Sequence, residues 1–185
     1  ACLLRKGGDN KAAIASLDLA IGCFEKSMQD NKDYTDSCQQ WLAWCYGKKG
    51  CALFYADDAA GAERWLLQAT QLRPDQITAD LGLRDSIKMG LLNLGEKFSK
   101  ANDMAHLESL MRAASDAANA DVDLLNNSGL IARDYGNLVE RNGDAAKAKE
   151  LYEQSYKAYS KAQQLDPQNT RLCNDTALIL IYHLE

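Results

Sequence analysis

The chain has 185 residues, 46% of them hydrophobic and 25% charged, with two prolines and a formal net charge of −5. Its 27 Ala and 26 Leu stand against only 14 Val, Ile and Thr together, which excludes an all-β or α/β fold and points to an all-α one. The acidic balance argues against nucleic acid as a partner, and no apolar run approaches the roughly 18 residues that a membrane span needs.

Apolar residues recur at helical spacing along nearly the whole chain. A helical stub is expected before Gly8. Helices are predicted over 10–29, 34–55, 58–72, 75–100, 103–119, 122–141, 144–165 and 170–184. Residues 58–72 place Ala62, Leu66 and Ala69 on one face, and Ser155, Tyr159 and Ala162 share a face before Pro167. Two kinds of break alternate between these helices. Gly8-Asp9, Asp57-Asp58, Asn102-Asp103 and Gly143-Asp144 read as tight turns that deliver an Asp to the next helix, where its carboxylate caps free N–H groups. At Arg73-Pro74-Asp75 and Asp166-Pro167-Gln168, proline cannot continue the hydrogen-bond ladder. Asn31 to Asp33 and Ala120-Asp121 are weaker members of that second set. Such short connections make consecutive helices antiparallel neighbours.

The cysteines Cys2, Cys23, Cys38, Cys45, Cys51 and Cys173 form no CxxC and no metal spacing with a histidine. They read as small apolar residues between helices. A chain of this length does not need a disulfide framework, and unpaired buried thiols lean toward a reducing, cytoplasmic compartment, with an extracytoplasmic one as the alternative. His106 and His183 have no ligand-like neighbours, and no GxSxG, Walker loop, GxGxxG or HExxH occurs. Asp116, Asp121 and Asp123 read as capping and solvated-face residues rather than an acid/base pair. No enzymatic activity, cofactor or metal is therefore expected. The aromatic residues Trp41, Trp44, Tyr46, Phe54, Tyr55 and Trp65 read chiefly as packing within a hairpin, with Tyr55 left on a groove wall.

Alternating turns imply a repeat of helix pairs. The segment from Asn93 to Asp103, NLGEKFSKAND, resembles the first-helix signature of the tetratricopeptide repeat, a Leu-Gly pair before an aromatic and a turn. The second-helix signature is matched by Ser155, Tyr159, Ala162 and Pro167 in SYKAYSKAQQLDP and by Ala62, Leu66, Ala69 and Pro74 in AERWLLQATQLRP. GDNKAAIASLDLAI resembles another second helix, with Ala13, Leu17 and Ala20. Thr170 to Glu185 resembles a first helix cut off before its turn. Gly50, Gly95, Gly129 and Ala177 are expected where a neighbouring helix approaches closely. Gly129 and Gly136 both fit the glycine site of one unit, a heptad apart, so that unit reads as one elongated hairpin.

The resemblance implies a right-handed α-solenoid of antiparallel helix hairpins, one repeat domain over 1–185 with about four to five units. It also implies a noncovalent scaffold that takes a peptide or partner helix in a concave groove lined by first helices. Carried onto this chain, the lining positions are Leu92, Glu96, Ser99 and Lys100, then Asn126, Leu130, Arg133 and Asp134. The last unit adds Arg171, Asn174, Leu178, Ile181 and Tyr182. Asn126 and Asn174 fall at equivalent sites of adjacent units, where paired amides suit an extended peptide backbone. The family's carboxylate clamp needs a Lys that is missing here, so that clamp is not expected. Self-association through the apolar face of the last helix, at Leu172, Leu178, Ile179, Leu180 and Ile181, is a further expectation. The alternative is an assembly or regulatory arm of a larger enzyme whose catalytic domain lies elsewhere. Consistent with that, the chain reads as a fragment of a longer protein, with Leu184-Glu185 as a possible cloning scar.

Overall fold

Among the described residues, four adopt left-handed backbone: Gly8 (φ +82°), Asp57 (+66°), Asn102 (+55°) and Gly143 (+91°). Each is followed at once by an aspartate whose Oδ1 accepts from a backbone N–H three residues on. The pairs are Asp9 with Ala12 (2.9 Å), Asp58 with Gly61 (2.8 Å), Asp103 with His106 (3.3 Å) and Asp144 with Lys147 (3.0 Å). The left-handed residue reverses the chain, and the carboxylate then satisfies donors that the first helical turn leaves free. All four tight turns expected from the sequence have this construction.

The computed structural model describes residues 8–118 and 121–184. The stub expected before Gly8, with Cys2, and residues 119, 120 and 185 lie outside them. The helices are α1 (Asn10–Asp30), α2 (Thr35–Tyr55), α3 (Ala59–Leu72), α4 (Leu81–Ala101), α5 (Met104–Ala118), α6 (Val122–Arg141), α7 (Ala145–Leu165) and α8 (Thr170–Ile179). Short 3-10 turns occupy Lys32–Tyr34 and Pro74–Gln76, and a π turn follows at Leu180–Leu184. Among the described residues there is no strand.

Two boundaries differ from expectation. α4 starts at Leu81 rather than at 75, because Pro74 opens only a 3-10 turn and Asp80 then caps the true start through the Leu83 N–H (2.9 Å). α8 stops at Ile179 and widens into the π turn. Loss of the Asp144 cap is expected to cost about 1 kcal/mol. An Asp144→Ala variant should show that loss as a lower denaturant midpoint with an unchanged slope.

The chain divides into two compact units, Ala1–Gly90 and Leu91–Glu185. The division falls within α4. In the first unit α1 packs on α2 and α2 on α3. Leu17, Ile21, Leu42 and Cys45 form a core, with Phe24, Trp44, Tyr46 and Trp65 partly buried against it. Lys49 is buried, paired with Asp18, and its ammonium stands 3.7 Å from the centre of the Trp65 ring. Most of the aromatic cluster thus serves packing, as in the tilted Tyr46–Trp65 pair at 4.9 Å, while Trp41 and Tyr55 remain exposed. Cys38, Cys45 and Cys51 are buried thiols, and burial pushes the Cys45 pKa up to about 11. Arg73 donates to Asp36 and Asp75 at 2.8 Å each, tying the start of α2 to the Pro74 turn.

In the second unit α5 packs on α6, α6 on α7 and α7 on α8. α6 is its central element. Leu124, Leu125, Asn126, Asn127, Ser128 and Gly129 are consecutive and all buried, so this stretch is covered on every side. A β-carbon on Gly129 would lie 2.7 Å from the Tyr159 ring, and one on Gly136 would lie 2.7 Å from the Tyr152 ring. Seven residues separate the glycines on α6, and seven separate the tyrosines on α7. The pair therefore keeps one antiparallel register over these two turns, as expected from the heptad spacing of the two glycines. Gly50 against Leu66 and Gly95 against Ile131 are also close approaches. Ala177 is not: it is exposed, and Leu172, Thr176 and Ile179 carry the buried side of α8 instead.

Candidate binding surfaces

The expected groove residues fall into three environments. On α4, Leu92 and Ser99 are half-buried, and exposed Glu96 and Lys100 pair with each other across one helical turn. On α6, Asn126 is buried, at 4% exposure, and its Oδ1 has no hydrogen-bond partner among the described residues. Leu130, Arg133 and Asp134 are half-buried. On α8 and the π turn, Arg171, Asn174, Leu178, Ile181 and Tyr182 are exposed.

Asn126 and Asn174 therefore do not present a matched pair of amides, since one is inside and the other outside. The helical periodicity that made them equivalent carries no information about how completely α6 is wrapped. The apolar end surface also differs from expectation. Leu172 and Ile179 are buried and Leu180 is half-buried, so its exposed members are Leu178 and Ile181, at 39% and 58% exposure, with Tyr182 of the groove set beside them at 72%.

Arg133 is half-buried on α6 and pairs with the next residue of the same helix. Its Nε and a terminal nitrogen both donate to Asp134 Oδ1, at 3.0 and 2.8 Å. Partial burial works against the guanidinium charge. The Asp134 bonds and charge, together with Tyr159 and with Asp175 on α8, outweigh it in sum, and the Arg133 pKa is raised. Burial pushes the Tyr159 hydroxyl up to about 12, with Arg133 acting in the opposite sense. Arg171 Nε lies 3.8 Å from Asp175 Oδ2, one turn away on α8. The structure thus brings Arg133, Asp134 and Asp175 into one electrostatic group around the buried tyrosine.

Several residues of this region carried no sequence signal. The Tyr152 hydroxyl donates toward Asn137 Oδ1 (3.0 Å) and Glu140 Oε2 (2.8 Å), and the His183 ring stands 4.1 Å from the Tyr152 ring. Burial lowers the His183 pKa, with Glu140 opposing and Arg133 assisting. This contact holds the π turn on α7. The sequence separates His183 from Tyr152 by a helix and two turns, so only the fold shows the pairing.

A cleft between α5 and α7, over α6, was not anticipated either. Its volume is about 240 Å³, and Lys157 and Lys161 of α7 stand on its edge. Their spacing in SYKAYSKAQQ, four apart around Ala158, puts both ammonium groups on one helix face. Among the described residues, no group of three or more His, Cys, Asp or Glu side chains is placed to hold a metal, and no helix is long and apolar enough to cross a membrane. What these surfaces offer is apolar area edged with amide, guanidinium and ammonium donors. Compared with known proteins, the chain matches no family model and no curated sequence.

Proposed function

We propose that this chain is a noncovalent binding scaffold: a tetratricopeptide-like, right-handed solenoid of helix hairpins that holds a peptide or partner helix and performs no reaction itself. Paired helices supply a rigid surface, so a partner docks without a large ordering cost in the scaffold. The observation that carries this reading is the exposed apolar strip Leu178, Ile181 and Tyr182, bordered by Asn174 and Arg171. Exposed apolar side chains beside polar donors have the composition of a protein contact site. The packing of α8 and the π turn on α7, with His183 against Tyr152, supports it, since that packing gives the strip a firm base.

The test places a photo-crosslinking amino acid at Tyr182, with Lys149 on α7 as a control position. Cell extract is irradiated, and the reading expects polypeptide adducts at 182 that are absent at 149. Those adducts should disappear when Leu178→Asp and Ile181→Asp are added. Equal labelling at both positions, or adducts indifferent to the two aspartates, contradicts the reading.

A further inference from the structure

The cleft between α5 and α7 has a chemistry of its own. Leu125, Ser128 and Ala132 recur at three and four residues along α6 and are buried, forming its floor. Ser115 of α5 closes one side, and Gln154, Lys157, Ala158 and Lys161 of α7 close the other. Ser115 Oγ and Ser128 Oγ are 3.3 Å apart. When one hydroxyl donates to the other, the accepting serine still has its own proton to give. The lining therefore presents two ammonium groups and a hydroxyl proton, and it contains no carboxylate. Lys157 and Lys161 make no ion pair with any of the described residues. In a chain of net charge −5 this is a local excess of positive charge.

The volume lies below the range usual for small-molecule sites, about 300–1,000 Å³. The apolar part of the lining, Leu125 and Ala132 on the floor and Ala158 on the wall, suits one inserted side chain. An ionised carboxylate accepts well from ammonium and hydroxyl donors. We propose that this cleft binds an acidic segment of a partner protein. An Asp or Glu carboxylate meets Lys157 and Lys161, while an adjacent apolar side chain covers the floor. This site goes beyond the α8 surface described above and does not depend on it.

The experiment uses the full 185-residue chain and a fluorescein-labelled peptide of alternating leucine and glutamate, read by fluorescence anisotropy. Binding is expected that weakens as sodium chloride is raised. It should fall about tenfold in Lys157→Glu with Lys161→Glu, because two attractive rim charges become repulsive. Ala158→Phe, which fills the cleft without changing charge, should also reduce it. The variants' helix content is checked by circular dichroism, and both substituted surfaces are outside the buried core. Leu178→Asp with Ile181→Asp should leave the affinity unchanged, so failure here and failure of the α8 proposal are separable. The proposal is overturned by no binding, or by equal binding of a leucine–lysine peptide. Unchanged affinity in Ala158→Phe, or loss in the α8 variant, overturns it as well, because either places the peptide outside the cleft.

Discussion

Truncation of Leu66 to alanine is expected to cost about 3 kcal/mol of stability, in the middle of the range for a buried leucine. Leu66 is 1% exposed and fills the space that two glycines leave in the first unit. A β-carbon on Gly50 would lie 2.6 Å from its Cγ, and one on Gly90 would lie 2.3 Å from its Cδ1. The same contacts make a second expectation. Gly90→Ala alone should destabilise, since its new methyl has no room beside Leu66. In the Leu66→Ala background that methyl enters the vacated space and also gains helix propensity, so its effect should change sign. Denaturant melts of the four proteins measure the coupling, which should exceed about 1 kcal/mol. Additive effects would contradict the packing described.

Gly129→Ala is the second large effect, a loss of about 2 kcal/mol. The added methyl would meet Cδ1 and Cε1 of Tyr159 at 2.7 Å. That ring is 1% exposed, so it has no solvent to retreat into. The helices are also joined at this point, because Ser155 Oγ donates to the Gly129 carbonyl at 2.7 Å. Overpacking of this kind costs about 1–3 kcal/mol, and alanine's better helix propensity returns at most about 1 kcal/mol. With the smaller side chain of Tyr159→Leu in place, Gly129→Ala should become neutral or stabilising. The four thermal midpoints check this. If Gly129→Ala raises the midpoint with Tyr159 intact, α6 and α7 do not approach as closely as described.

Much of the helical layout is legible in the sequence because its signals are local. Asp9, Asp58, Asp103 and Asp144 each follow a residue suited to left-handed backbone, and a cap is formed within three residues of its carboxylate. The elongated hairpin is legible for a related reason, since Gly129 and Gly136 leave a visible seven-residue spacing. Where two local signals compete, the reading slips. Pro74 and Asp80 both mark a helix start, and only Asp80 supplies a cap at the start of α4.

The candidate surfaces were less legible because burial on the far side of a helix is not local. Asn126, Asn127 and Ser128 look like a solvated polar run, yet neighbouring helices cover all three. Ala177 looks like a packing contact, yet it faces outward, because Leu172, Thr176 and Ile179 decide which way α8 turns. Lys157 and Lys161 are ordinary exposed helix lysines until Ser115 and Ser128 are brought beside them.

Both proposed surfaces stand on the α6–α7 register, and a nuclear Overhauser spectrum of the full chain reads it directly. Ring protons of Tyr159 should show cross-peaks to the Gly129 α-protons, and those of Tyr152 to the Gly136 α-protons, with both sets of glycine signals shifted by the rings. Cross-peaks that instead join Tyr159 to Gly136, or the absence of both pairs, would contradict the hairpin and the surfaces built on it.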